Sequence, residues 1–178
     1  MHVSAVISNS GERGYLGDVT TTAQPTGPRV GDIAPEFTLP STSGADVALS
    51  SLRGKRNVVL ALFPLAFTST CTAEVCAFSE DFDRFSGANT TVLPISVDSV
   101  PTLKEFKAKY NIKVDLLSDF TRHVSRTYGT LQDAKFYSNR AYFLIDRTGR
   151  VRWAHQETDN RERRDNAELL RQIEALGA

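Results

Sequence analysis

The order of elements predicts an α/β domain of three layers, a sheet with helices on both faces. Three stretches carry the prediction. Asn57-Val-Val-Leu-Ala-Leu-Phe63 is an uninterrupted apolar run, the pattern of a strand buried on both faces. Cys71, Val75, Phe78, Phe82 and Phe85 then recur at three-four spacing, one apolar helical stripe with Glu74, Glu80, Asp81 and Asp83 off it. Thr91-Val-Leu-Pro-Ile-Ser-Val97 is the next strand, and strand, helix, strand makes a βαβ unit. A chain of 178 residues suits one such domain.

Residues 1–29 are rich in Gly, Ser, Thr and Pro without an apolar period, and read as a flexible or loosely docked extension ahead of a domain at 30–178. Glu36–Leu39 and Val47–Leu49 alternate apolar with polar around the turn material Ser41–Gly44, the pattern of an N-terminal β-hairpin. Pro94 removes a ladder donor from its strand, and a bulge is expected there. Asp98 or Ser99 can cap a helix with Pro101 in its first turn, Leu103, Phe106 and Tyr110 facing in and Lys104, Lys107 and Lys109 solvated. Val114–Leu117 reads as a short strand, Thr121–Tyr128 as a short helix, and residues 130–139 as loop. Ala141–Ile145 and Val151–Ala154 flank Asp146-Arg-Thr-Gly149 as a second hairpin. The charge run Arg161–Asp165 reads as solvated and precedes a last helix with Leu169, Ile173 and Leu176 inward.

Charge and composition remove several classes of function. Lys and Arg number 21, as do Asp and Glu, which argues against nucleic acid or an anionic membrane as the partner. No apolar run reaches the roughly 20 residues of a membrane span, and Val3–Ile7 is short for a signal peptide. Two cysteines do not make a disulfide framework, so the expected compartment is the cytoplasm. His2, His123 and His155 are scattered and give the two cysteines no partner pair, so neither metal nor cofactor is expected.

Both cysteines fall in Pro64-Leu-Ala-Phe-Thr-Ser-Thr-Cys71-Thr-Ala-Glu-Val-Cys76. Cys71 follows a central strand and opens a helix, the place where ligands bind in open α/β sheets and where unpaired N–H groups and the positive helix end gather. A cysteine there has its thiolate stabilised and can act as a nucleophile. Most free cysteines are inert core residues. The position after Pro64 and Thr68 is what distinguishes this one. Thr68 and Thr70 add hydroxyls near the helix start, either of which can serve as its cap.

Pro64-x-x-x-Thr68-x-x-Cys71 resembles the active-site motif of the peroxiredoxins, thiol peroxidases on a thioredoxin-like fold. Gly31-Asp-Ile-Ala-Pro-Glu-Phe-Thr-Leu39, Ile95–Ser99, Leu117–Asp119 and Arg140–Asp146 resemble other parts of that family, from about residue 30 to the end. The resemblance implies a central mixed sheet and a peroxide substrate. Cys71 becomes the peroxidatic thiolate, attacking one peroxide oxygen to give a sulfenic acid. Thr68 holds the attacked oxygen, Pro64 shields the sulfur, and Arg140 stabilises thiolate and leaving oxygen. Glu74 orients Arg140, although a carboxylate alone opposes a thiolate.

The Cys-x-x-x-x-Cys spacing is similar to the bacterioferritin-comigratory (PrxQ) branch, where the second cysteine resolves, which makes Cys76 the resolving thiol and a thioredoxin-like dithiol the reductant. On an ideal helix residues five apart lie roughly 8–9 Å apart, beyond the about 7 Å a disulfide permits, so the helix must unwind. Phe63–Thr68 and Leu117–Phe120 also resemble the AhpE branch, with one working cysteine and an external thiol. A third reading is a non-enzymatic holdase on the same fold. Either a monomer or a homodimer is compatible with these readings.

Overall fold

The computed structural model describes residues 26–177; most of the extension expected at 1–29 lies outside them. Gly27 lies against the backbone of Tyr128 and Gly129, where a Cβ would come within 2.0 Å of the Tyr128 carbonyl oxygen. The strands are β1 (Thr38–Pro40), β2 (Asp46–Ala48), β3 (Asn57–Leu62), β4 (Thr90–Ser96), β5 (Leu117–Ser118), β6 (Leu131–Gln132), β7 (Tyr137–Ser138), β8 (Ala141–Ile145) and β9 (Val151–Gln156). The helices are α1 (Ser69–Glu80), α2 (Phe82–Gly87), α3 (Val100–Lys109), α4 (His123–Thr127) and α5 (Asn166–Glu174).

Five strands form the central sheet in the order β5-β4-β3-β8-β9. β3 pairs parallel with β4 and antiparallel with β8, so the sheet is mixed. The apolar run of β3 buries both faces because its side chains alternate between two cores. Val59, Ala61 and Phe63 join Val75 and Phe78 of α1, Phe85 of α2 and Leu169 and Ile173 of α5. Val58, Leu60 and Leu62 join Leu39 of the hairpin β1–β2 and Val124 and Tyr128 at α4. The three layers follow from this alternation. None of the described helices is long and apolar enough to cross a membrane.

Four local expectations are corrected. The single stripe from Cys71 to Phe85 is two helices, because the chain breaks at Asp81 (φ −91°, ψ 16°). The break resets the helical phase, leaving Phe82 41% exposed while Phe85 is buried. Glu74, expected off the stripe, is buried on it. No bulge forms at Pro94, where the β3–β4 register runs on from Ala61↔Pro94 to Leu62↔Ile95. The Ser96 carbonyl accepts from Asp119 on the β5 side, and Pro94, two residues earlier, turns the same way. β5 begins only opposite Ile95, so the missing N–H costs the ladder nothing. Finally, residues 130–139 contain the small antiparallel pair β6–β7.

At the start of α3 the cap is Ser99, whose Oγ accepts from Thr102 N at 3.3 Å. Lys107 is not a free surface lysine: its Nζ reaches the Val114 carbonyl at 2.9 Å and Asp115 at 2.6 Å, fastening α3 to the chain that enters β5. Replacing Ser99 with Ala should lower stability by about 1 kcal/mol, the usual cost of a lost N-cap. Chemical denaturation with an unchanged slope is the check.

Candidate active site

β3 delivers the chain to Pro64, which is buried where the strand ends. The next residues are held from two sides. Ala66 N donates to Asp98 Oδ2 at 2.8 Å, and the same oxygen accepts from Ser96 Oγ at 2.8 Å. Phe67 takes a left-handed backbone (φ 65°), a costly conformation for a bulky residue. Its ring lies edge-on to Phe106 at 5.1 Å, with Lys109 Nζ 5.7 Å above it. The strained turn therefore has packing partners on α3.

Thr68 follows in extended conformation as the N-cap of α1, without a side-chain cap bond. Its hydroxyl donates to the Leu65 carbonyl at 3.0 Å, which leaves the oxygen lone pairs free to accept. The first intrahelical bond runs from Thr72 N to Thr68 O at 2.9 Å. The N–H groups of Ser69, Thr70 and Cys71 thus come before the helical ladder and have no acceptor within it. Neither threonine caps the helix with its side chain, and Thr70 lies within the first turn.

Cys71 is 1% exposed and packs in the core with Val75 and Tyr142. Its Sγ accepts from Arg140 Nη2 at 3.2 Å. Arg140 directly precedes β8 and is fully buried. Its Nη1 is ion-paired with Glu74 Oε2, and its Nη2 also donates to the Asn160 carbonyl at 3.1 Å. The two elements meet because Glu74 lies three residues after Cys71, on the same side of α1. Burial works to lower the pKa of Arg140, but the charges of Glu74 and Cys71 outweigh it and raise it. Burial likewise pushes the Glu74 carboxyl up from its ordinary value, against the pull of Arg140 and of the Tyr142 hydroxyl, which donates to Glu74 Oε1. Arg140 Nε is buried with no partner among the described residues.

Arg140 thus touches both Cys71 and Glu74, while Pro64 and Thr68 lie on the turn that leads into the same helix. Cys76 is half-buried further along α1, and both thiols are free. Burial, and then the Glu80 carboxylate, push the Cys76 thiol up. The groove of about 380 Å³ lined by Phe78, Phe82, Arg56 and Val114 includes none of these residues.

The family model described as AhpC/TSA family matches residues 30–154. The chain belongs to the AhpC/TSA family. It is 37% identical over 130 residues to alkyl hydroperoxide reductase E of Mycobacterium tuberculosis, covering 72% of this chain and 85% of that protein. Putative peroxiredoxin bcp of Coxiella burnetii is 40% identical over 126 residues, covering 67% of this chain and 83% of that one. The reduced 2-Cys peroxiredoxin of Plasmodium vivax superposes with a TM-score of 0.77 at 35% identity, over 83% of this chain and 81% of that one. The fold is therefore the thioredoxin-like fold of the peroxiredoxins, and the chain is a peroxiredoxin-type peroxidase of the Bcp/PrxQ and AhpE kind.

Several residues around the family's site escaped the sequence reading. By sequence Asp98 is only a candidate helix cap, and its hold on Ala66 links two distant loops that no periodicity connects. Asn160 grips Arg140 twice, its Oδ1 also accepting from Arg140 N at 2.8 Å. Tyr142 had a legible signal: two residues after Arg140 in a strand, it shares its face. Arg164, in the run read as solvated, donates to Glu157 at 2.8 Å and 3.1 Å. Glu157 is buried, and its N–H donates to the Arg140 carbonyl.

For Glu157, burial alone would raise the pKa, but the hydrogen bonds from Arg164 and His155 bring it below its ordinary 4.5. A carboxyl more acidic in the folded state stabilises the fold fully above the unfolded value and loses that effect as pH falls through the folded one. Glu157→Gln should therefore unfold at lower temperature than the wild type at pH 7, and the gap should close as the pH is taken below 4.5. Thermal melts across that range provide the comparison.

Proposed function

We propose that the protein reduces hydrogen peroxide or small organic hydroperoxides through Cys71, with Cys76 as the resolving thiol. The observation that carries the reading is the buried Arg140 guanidinium, divided between Glu74 and the Cys71 sulfur. It provides positive charge where a thiolate attacks and where a leaving oxygen gains charge. The Thr70 and Cys71 N–H groups and Arg140 Nε are further donors for the peroxide oxygens, and the Thr68 oxygen can accept the peroxide hydrogen. Pro64 keeps water from the sulfur.

In the first step the Cys71 thiolate attacks the terminal peroxide oxygen. An S–O bond forms, the O–O bond breaks, and the displaced alkoxide or hydroxide takes a proton to leave as alcohol or water. Cys71 is now a sulfenic acid. Attack by the Cys76 thiolate forms the S–S bond and breaks the S–O bond, and the displaced hydroxide takes a proton to leave as water. A thioredoxin-like dithiol then returns both cysteines to thiols by two exchange reactions.

The second step needs a change of shape. α1 is continuous through both cysteines, and an ideal helix keeps residues five apart beyond disulfide reach. The helical state also holds the Cys76 thiol up through burial and Glu80. Unwinding the first turns removes the distance and the burial together. Two free thiols and a dithiol donor suit a cytoplasmic setting.

Stoichiometric peroxide should consume both thiols of the wild type and yield an intramolecular 71–76 link by mass spectrometry. Cys71→Ser should consume no peroxide. A lasting sulfenic acid with Cys76 still free would replace the resolving role with an external thiol, and peroxide turnover surviving Cys71→Ser would overturn the whole reading.

A further inference from the structure

Arg140 has a choice of partners. A guanidinium beside a carboxylate favours the two-pronged arrangement in which two N–H groups meet two oxygens. Here the contact is one-pronged. Nη1 goes to Glu74 Oε2, and Nη2 is left for the Cys71 sulfur at 3.2 Å and the Asn160 carbonyl. The oxygen that would complete the fork, Glu74 Oε1, accepts instead from the Tyr142 hydroxyl.

The direction of that hydrogen bond is fixed. Arg164 N donates to the Tyr142 oxygen at 3.1 Å, and a phenol has one proton, which is therefore turned toward Glu74. Burial and then the charge of Glu74 hold the Tyr142 phenol well above its ordinary value, so the proton stays on. The ring is fully buried, with Trp153 beside it at 6.5 Å, and has no room to swing away. The other charges bearing on Glu74 are Arg140 and Arg163.

We propose that Tyr142 is a positioning residue for Cys71: by satisfying Glu74 Oε1 it disfavours the two-pronged Arg140 pair and keeps Nη2 on the sulfur. Removing the hydroxyl leaves a buried carboxylate oxygen without a donor, an expensive state that the nearest N–H groups relieve. The guanidinium already on the other oxygen of the same carboxylate is that of Arg140. The guanidinium rotates to meet both oxygens, and the sulfur loses its cation. The inference rests on Cys71 as the reactive thiol, but its geometry does not depend on which electrophile the thiol meets.

The test is therefore made with iodoacetamide rather than peroxide, following alkylation at Cys71 by mass spectrometry across pH in the full chain. Tyr142→Phe keeps the ring and removes the hydroxyl. Its Cys71 alkylation profile should move to higher pH, and the rate at pH 7 should fall about tenfold, the scale of one charge-assisted hydrogen bond. On a Glu74→Gln background the fork cannot form, so adding Tyr142→Phe should move the profile no further. A profile that is unmoved or moves to lower pH in the single variant overturns the proposal. So does an equal shift on both backgrounds, which would mark a packing effect. A wild type that alkylates at Cys71 as described yet consumes no peroxide would sink the peroxidase reading and leave this one standing.

Discussion

A buried guanidinium constrains everything around it. Placing a charge fully out of water is costly unless it is paired and hydrogen-bonded, and Arg140 satisfies this through Glu74, Cys71 and Asn160. The partners come from two other parts of the chain. Glu74 and Cys71 require α1 to start where it does, one turn carrying both inward. Asn160 requires the segment after β9 to fold back over the end of β8. Glu157 and Arg164 hold that segment, and the Tyr142 hydroxyl joins it to the carboxylate. The ion pair is thus a joint between helix, sheet and covering segment, and removing one member leaves the others buried and uncompensated.

The turn before the helix is governed by different forces. Strain at Phe67 is balanced by aromatic packing on α3, and the Ala66 N–H is received by Asp98 at the end of β4. Two neighbouring strands therefore set the turn. β3 provides its entry, and β4 provides its restraint through a carboxylate that also bonds Ser96. Because β3 and β4 are parallel, their carboxyl ends lie side by side, and a loop leaving one is within reach of a side chain leaving the other.

Much of this could be read from residue order. The alternation in β3, the hairpin before it and the strand at Ala141–Ile145 have periods that survive without tertiary context. So does the placement of Cys71 in a first turn. What escaped depended on cancellation between distant groups. Periodicity alone treats Glu74 as a surface carboxylate, and only the family resemblance joins it to Arg140, 66 residues away. Arg164 looked solvated for the same reason. Pro94 reads as a fault in a strand, yet its neighbour strand starts too late for a lost donor to matter. The break at Asp81 fell within an apolar stripe that ran on across it, so composition gave no reason to divide the helix there.

That break gives α1 two unequal ends. Toward Asp81 the helix is tied from outside: Asn166 of α5 donates to the Ala77 carbonyl and to Asp81, and Ser79 accepts from Lys113 N. At Thr68 there is no side-chain cap, and the first turn is held by the sulfur, the carboxylate and their shared arginine. Fraying begins where the external ties are fewest, so this helix has a direction in which to come apart. The Cys71 sulfur, the proposed site of oxidation, is an atom that helps to close the loose end. On that proposal the reaction product and the latch are the same sulfur, and turnover would release the segment while α2 and the core around Phe85 stay in place.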